Sequence, residues 1–325
     1  MRPSRNDVAK EAGVSPTTVS RVINSRGYIS ENTRKKVNEA MERLGYYPNE
    51  LARSLSKNQS SLIGLIFPSL TNPFQMELIT HLEMLLSQIN YKVLICNSQN
   101  NPENEKKYLD MLRRNQVEGV IVNSLNETLP EYYIPDLHIV SVDRKINARI
   151  PVISSDNYEG GKMAVQKLID KDCQKILYIG GVNNNINMDA NKRYRAYLDL
   201  IKNFNLTPVT LDLDFTLSYE EKYDKIKDFL LKNTFIDGIF TDDDSAIISL
   251  NIANELKIDV PNELKIVGFD GSNLTLQYVP ELTTIQQPIK KIADLSVQTL
   301  LSVINGEKPD NITNLSTKLK LGTSC

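Results

Sequence analysis

Few residues of this chain have the types and spacing that bond-breaking chemistry requires. His81 and His138 fall on a helical and a strand pattern, with no paired nucleophile and no metal-ligand spacing, so each reads as a structural histidine. Cys96, Cys173 and Cys325 are scattered and lack CxxC spacing, which gives neither a disulfide framework nor a zinc site and fits a reducing compartment. Ile179-Gly180-Gly181 lacks the rest of a dinucleotide fingerprint and reads as a tight strand-to-loop turn. No catalytic constellation is left, so neither an enzyme, a resident cofactor nor a metal is expected. The chemistry on offer is recognition. Thr17, Thr18, Ser20 and Arg21 cluster on one short segment. An arginine can make paired hydrogen bonds to guanine, and a threonine can donate to a base or phosphate and touch a thymine methyl.

The elements that must present those side chains are short helices. Val8, Ala9 and Ala12, then Val19, Val22 and Ile23, recur at helical spacing on two segments. Between them Gly13-Val14-Ser15 allows only a tight turn, with Ser15 as N-cap and Pro16 at the first helical position. Two short helices joined by such a turn form the helix-turn-helix pattern, whose second helix, here about Pro16–Asn24, enters the DNA major groove. A third helix starts near Ser30, packs through Val37, Ala40, Met41 and Leu44, and stops at Gly45. Its Arg34, Lys35 and Lys36 suit phosphate contacts better than sequence reading. A three-helix bundle with another task has the same periodicity. Charge is uneven: 11 basic against 6 acidic residues make the first sixty +5, whereas 27 against 34 make the remainder −7. A basic head on an acidic body suits a polyanion bound at the head, although a solvated charged face explains the same count.

At 325 residues, 41% hydrophobic and 24% charged, the chain can bury a sizeable core in two or three folding units. From Ser61 onward, apolar runs (Leu62–Phe67, Lys92–Cys96, Gly119–Val122, Ile139–Val142, Lys175–Ile179, Gly238–Thr241, Lys265–Phe269) read as buried strands. They alternate with helical patterns at Phe74–Ile89, Pro102–Arg114, Tyr158–Ile169, Asn191–Phe204, Tyr219–Leu231 and Ser245–Leu256. Such alternation predicts an α/β fold of doubly wound parallel sheets in two lobes, with ligands at the carboxyl ends of the strands. No signal peptide and no membrane span is legible, so a cytoplasmic location without a membrane partner is expected.

Asp7-Val8-Ala9-Lys10-Glu11-Ala12-Gly13-Val14-Ser15, Thr18-Val19-Ser20-Arg21-Val22-Ile23-Asn24, Thr33-Arg34-Lys35-Lys36-Val37 and Leu44-Gly45-Tyr46-Tyr47-Pro48-Asn49 closely resemble the headpiece of the lactose-repressor (LacI) family. The likeness continues in Asn72-Pro73-Phe74, Asp156-Asn157-Tyr158-Glu159-Gly160-Gly161, Ile266-Val267-Gly268-Phe269-Asp270 and Pro280-Glu281-Leu282-Thr283-Thr284, and so spans nearly the whole chain. It implies a helix-turn-helix headpiece at 1–48, a hinge helix and linker at 49–60, and a periplasmic-binding-protein-like body at 61–325. The lobes of that body would be 61–156 plus 289–318, and 157–288 plus 319–325, with crossovers near Asp156 and Pro288. The resemblance implies DNA contacts by Ser15, Pro16, Thr17, Thr18, Arg21 and Asn24. It also implies a hinge helix capped by Asn49, in which Leu55 wedges into the minor groove beside Ala52. The ending, Leu319-Lys320-Leu321-Gly322-Thr323-Ser324-Cys325, lacks the commoner Arg before Ser-Thr. No leucine heptads follow, and a homodimer is expected.

The same matching assigns Phe74, Asp143, Arg144, Arg193, Phe215, Asp242 and Asp270 to an effector cleft. Carboxylates take paired hydrogen bonds from sugar hydroxyls, arginines donate to oxygens, and aromatic rings cover C–H faces. Blander readings exist: Asp143 and Asp270 as loop caps, Phe215 as core, and Asp243 as N-cap of the helix near Ser245. Leu-Ile-Gly-Leu-Ile-Phe-Pro from Leu62 and Val-Leu-Ile-Cys-Asn-Ser from Val93 are most similar to sucrose-operon repressors of Gram-positive bacteria. The expected partners are therefore operator DNA and a small sugar effector such as sucrose, a related fructoside or its phosphate. A nucleobase effector, a protein co-effector or a sugar-binding protein without DNA are the alternatives.

Overall fold

The computed structural model describes residues 3–24, 26–47, 60–114, 117–124, 126, 129–134, 137–181, 191–214 and 217–325. The chain divides into two compact units, one ending at Ser60 and one running from Ser61 to Cys325.

In the first unit, local signals start and stop each helix. Helix α1 (Arg5–Ala12) opens with a reciprocal capping box. The Asp7 N–H donates to Ser4 Oγ, and the Ser4 N–H donates to Asp7 Oδ2 at 2.8 Å. Helix α2 (Pro16–Ile23) is capped by Ser15, which accepts from the Thr18 N–H at 3.1 Å. Helix α3 (Glu31–Leu44) starts from Ser30 and ends at Gly45 in the left-handed conformation. Val8, Ala9, Val19, Val22, Val37 and Ala40 form the buried centre that holds the three together.

The second unit contains two six-stranded sheets. The first has the order β11-β5-β4-β3-β1-β2 and is wholly parallel. Its strands are β1 (Leu62–Phe67), β2 (Lys92–Asn97), β3 (Gly119–Val122), β4 (Ile139–Val142), β5 (Val152–Ser155) and β11 (Ile312–Leu315). The second has the order β12-β10-β9-β8-β6-β7 and is parallel except where β12 meets β10. It comprises β6 (Ile176–Gly180), β7 (Val209–Asp212), β8 (Gly238–Phe240), β9 (Lys265–Asp270), β10 (Thr283–Gln286) and β12 (Lys318–Lys320). Helices α4 (Pro73–Gln88) and α10 (Ile289–Ile304) cover one face of the first sheet. On its other face lies α5 (Pro102–Arg114). Helices α6 (Asn157–Ile169) and α7 (Asn191–Asn203) cover one face of the second sheet, and α8 (Tyr219–Lys232) and α9 (Asp243–Leu256) the other. Apolar side chains fill both faces of each sheet, as buried parallel strands require.

The chain passes between lobes three times, after β5, after β10 and after β11. The last passage lies slightly earlier than its expected place, because Lys318 already pairs with Gln286 in the second sheet. Strands β5, β7, β10, β11 and β12 carry no long apolar run, and the sequence reading passes over them. They exist because a neighbouring strand offers a backbone ladder, not because of their own composition. Among the described residues, no helix is long and apolar enough to cross a membrane.

Candidate functional site

Two surfaces bring the expected residues together. In the first unit, Val19 and Val22 turn inward, which leaves Ser15, Pro16, Thr17 and Arg21 exposed and Thr18 and Asn24 partly so. Thr17 and Arg21, four residues apart, share the outward face of α2. Thr18 and Asn24 are more occupied: Thr18 Oγ1 pairs with Ser15 Oγ at 2.9 Å, and Asn24 Nδ2 donates to the Ser20 carbonyl at 2.8 Å. Lys35 and Lys36 lie exposed on α3. Asn49, Ala52 and Leu55 lie outside the described residues.

In the second unit a cleft of about 1250 Å³ opens at the carboxyl ends of both sheets. Phe74, Asp143, Arg144, Arg193, Asp242 and Asp270 all line it, and Phe215 lies outside the described residues. Arg193 stands in the first turn of α7 with its guanidinium carbon 3.6 Å from the centroid of the Phe269 ring. Its Nε donates to Asn157 Oδ1 at 2.7 Å, and a terminal nitrogen lies 3.5 Å from Asp270 Oδ1. The close approach of α6 and α7 fixes this position: a Cβ on Gly161 would sit 3.0 Å from the Arg193 Cα.

Asp270 ends β9 with φ of +128°, a strained backbone for any residue but glycine. Burial pushes its carboxyl well above the usual range; Arg193 opposes the rise, and the nearby Asp243 and Asp242 reinforce it. Gln287 Nε2 donates to Asp270 Oδ1 at 2.7 Å, while Gln287 Oε1 accepts from Ser155 Oγ at 2.7 Å. Ser155 and Asn157 flank the first interlobe passage and Gln287 lies in the second, so the Arg193–Asp270 pair is bonded directly into both.

The cap of α9 differs from expectation. Asp242, not Asp243, is the N-cap: its Oδ1 accepts from the Ser245 N–H at 2.9 Å. Asp243 is the first helical residue. It is buried, accepting from Thr284 Oγ1 at 2.5 Å and from the Gly271 N–H at 2.7 Å. The apolar periodicity begins only at Ala246, which made the helix look shorter at its start. The space for Asp243 comes from Gly268, where a Cβ would fall 2.3 Å from the carboxylate oxygen.

On the opposite wall Asp143 follows β4 with φ of +58°, and Arg144 is buried beside it. Behind them Glu105, fully buried, accepts from Ser124, from Tyr132 and from Asn126 Nδ2, the last at 2.7 Å. The Tyr132 phenol is pushed far up by burial and by Glu105, with Arg144 acting against the rise. Phe74 follows Pro73 in the first turn of α4, which Asn72 caps through the Gln75 N–H at 3.0 Å.

Sequence reasoning did not single out Gln287, Tyr178, Lys222 or Asp244 as cleft residues. All four line it. Their partners are remote in sequence, and no local motif marks them. Among the described residues the lining holds six aspartates (143, 212, 214, 242, 244 and 270) against two arginines and two lysines. The histidines lie elsewhere: His81 faces Glu77 at 3.7 Å, and His138 Nδ1 pairs with the Glu118 carbonyl at 2.8 Å. Among the described residues no histidine, cysteine and carboxylate cluster suits a metal ion. Such a cleft can order a polar ligand by hydrogen bonds of both senses.

Residues 6–49 match the model of the lacI family of bacterial regulatory proteins, and residues 165–325 match a periplasmic binding protein-like domain. A sucrose operon repressor of Streptococcus mutans is 48% identical over 300 residues, covering 92% of each chain. The chain belongs to the lacI family. This lacI-family protein is accordingly a DNA-binding regulator of transcription, not an enzyme. Its fold matches that of the lac repressor dimer bound to operator and the anti-inducer ONPF, with a TM-score of 0.85, 23% identity and 100% and 99% of the two chains covered. It is also similar to a periplasmic binding protein/LacI transcriptional regulator from Alkaliphilus metalliredigens in complex with D-xylulofuranose. There the TM-score is 0.71 and the identity 30%, over 82% of this chain and 99% of that one.

Proposed function

We propose that this lacI-family regulator is a homodimeric repressor that leaves its operator when an uncharged fructoside of the sucrose type occupies the cleft. In this reading residues 1–48 read DNA, 49–60 form the hinge and 61–325 bind effector and dimerise. Arg21 and Thr17 contact base edges, while Ser15, Pro16, Thr18 and Asn24 set the helix against the backbone. Leu55, with Ala52 and Asn49, opens the minor groove between half-sites. In the cleft Asp143, Asp242 and Asp270 accept from sugar hydroxyls, Arg144 and Arg193 donate to sugar oxygens, and Phe74 and Phe215 cover apolar faces.

One observation carries this proposal. Arg193 and Asp270 face the cleft, and their partners Asn157 and Gln287, with Ser155 bonded to Gln287 in turn, belong to the passages between lobes. A ligand that rearranges the first pair alters the bonds that fix the lobe angle. Ligand can shift a lobe equilibrium only through differential affinity, and groups bonded into the hinge supply one. The excess of aspartates opposes a phosphorylated sugar, and the S. mutans relative favours sucrose among neutral ones.

The test is fluorescence anisotropy on near-palindromic duplexes at one fixed salt concentration, with sucrose, sucrose 6-phosphate, fructose and purine bases added in turn. Release by sucrose is the expected result. Sequence-selective binding that no sugar alters would refute the effector, and unselective binding would refute the repressor.

A further inference from the structure

The two lobes are also tied at a point away from the chain passages. Glu77, on α4 beside the first sheet, reaches the segment that follows β9 of the second. Its carboxylate takes both donors of one residue there. The Asn273 N–H donates to Oε2 and Asn273 Nδ2 donates to Oε1, each at 2.6 Å. Hydrogen bonds of this length to a carboxylate are the stronger class. The Glu77 side chain is 13% exposed, so water competes little for it. His81 Nε2 lies 3.7 Å from Glu77 Oε1, but it stands on the same helix and moves with Glu77. Among the described residues, Asn273 alone holds this carboxylate to the other lobe.

Both ends of the tie are joined stiffly to the cleft, although neither Glu77 nor Asn273 lines it. Phe74, on the cleft wall, precedes Glu77 by about one turn of the same helix. On the other side Asp270 ends β9 just before Asn273, and the loop between them is pinned. The Gly271 N–H donates to Asp243 Oδ2 at 2.7 Å, and a Cβ on Gly271, at φ of +57°, would fall 2.5 Å from the Gln286 Cα. Ser272 Oγ accepts from the Thr275 N–H at 3.2 Å and caps the short helix Asn273–Tyr278. A displacement of Phe74 relative to Asp270 is therefore also a displacement of Glu77 relative to Asn273.

We propose that Glu77 and Asn273 form an interlobe clasp that is closed in the operator-binding arrangement and opens when effector changes the lobe angle. This rests on the effector reading above, in which a sugar between Phe74 and Asp270 rearranges the bonds that fix that angle. The clasp belongs with those bonds to the arrangement that holds operator. A bond made in only one of two arrangements biases their balance by its whole strength, and a ligand must overcome that bias to shift it. The clasp touches no sugar. It therefore sets how much sugar releases the operator, not which sugar binds.

The test follows operator release from the full chain by anisotropy at fixed salt as sucrose is raised, beside a melting curve for each variant. Asn273→Ala removes one of the two donors and should lower the sucrose concentration for half-release about fivefold, with sugar-free operator affinity no higher than in wild type. Asn273→Asp sets two carboxylates against each other and should lower it about tenfold or more. Adding Glu77→Gln to Asn273→Asp exchanges amide and carboxylate. The new amide oxygen accepts from the 273 N–H and its nitrogen donates to the new carboxylate, so half-release should return to within about twofold of wild type. Three results overturn the clasp while the effector reading stands. Single variants that melt lower yet release at the wild-type concentration would make the pair a bond common to both arrangements. A concentration that rises would place the clasp in the released arrangement, and a double variant that restores nothing would trace the effect to the altered loop. A wild type that no sugar releases removes the effector reading and the clasp with it.

Discussion

Replacing Gln287 by leucine separates ligand binding from its consequence. The side chain is 2% exposed, and its two polar atoms join Asp270 on the cleft floor to Ser155 at the first interlobe passage. Leucine fills a similar volume but leaves the Ser155 hydroxyl unpaired and Asp270 Oδ1 short of one donor. At about 1–3 kcal/mol for each buried group left unsatisfied, the loss of stability is about 3 kcal/mol. For a unit of this size that lowers the melting temperature by roughly 5 °C. Arg193 keeps its contacts with Asn157 and Phe269, so sucrose should still bind, weakened by no more than about tenfold. The coupling should fall much further. Allosteric coupling of about 1–3 kcal/mol corresponds to a 5–150-fold loss of operator affinity on saturation with effector, and in Gln287→Leu that factor should approach one. The assay is a pair of anisotropy titrations onto operator, without sugar and at saturating sucrose, beside a melting curve. A variant that melts lower as expected yet releases operator by the wild-type factor would show that the Gln287 bridge only stabilises the fold.

Arg21→Ala should cost about 1–3 kcal/mol of operator affinity and relax the base preference at the position it reads, measured on a set of single-base operator variants. A uniform loss across sequences would make Arg21 a phosphate contact instead. Leu55→Ala should lose much of the operator affinity while calorimetry finds sugar binding unchanged; unaltered operator affinity would refute the minor-groove wedge. Asp270, pushed up to about 8 by burial, binds more protons folded than unfolded. Its contribution therefore falls as pH rises from about 4 to about 8, opposite in sign to a well-paired carboxylate. Denaturant titrations across that range should be flatter in Asp270→Asn than in wild type, and parallel profiles would refute the assignment.

Much of the headpiece is legible because its signals are local. Ser15, Pro16 and Gly45 act on backbone groups within four residues of themselves, and Val19, Val22 and Val37 bury by helical spacing alone. The strand–helix alternation of the body is legible for a similar reason: a parallel strand covered on both faces must be apolar throughout. Strands such as β7 and β12, with sequences Val-Thr-Leu-Asp and Lys-Leu-Lys, carry no such mark. The expected cleft residues were placed by likeness to a family rather than by spacing, and the cap of α9 shows the limit of local reading. Asp242, Asp243 and Asp244 are adjacent and chemically identical, yet one caps a helix, one is buried against Thr284 and Gly271, and one holds Lys222.

By itself the sequence determined that a small basic head carries short helices in a helix-turn-helix pattern and that an α/β body follows it. The helices depend on periodicity and caps, which act over a turn or two of chain, and the DNA-reading role of the head on its likeness to the lacI family. Only the tertiary structure decided which polar groups share the cleft and how they connect to the passages between lobes. Arg193, Asp270, Gln287 and Ser155 come from four separate segments, and their bonds exist because the chain passes repeatedly between two sheets. Burial then changes what each group is: the Asp270 carboxyl is pushed up, Lys222 is buried against Asp244, and Gln287 bonds to partners on both sides. Desolvation and pairing are properties of the folded environment, not of residue type, so no local reading could have assigned them.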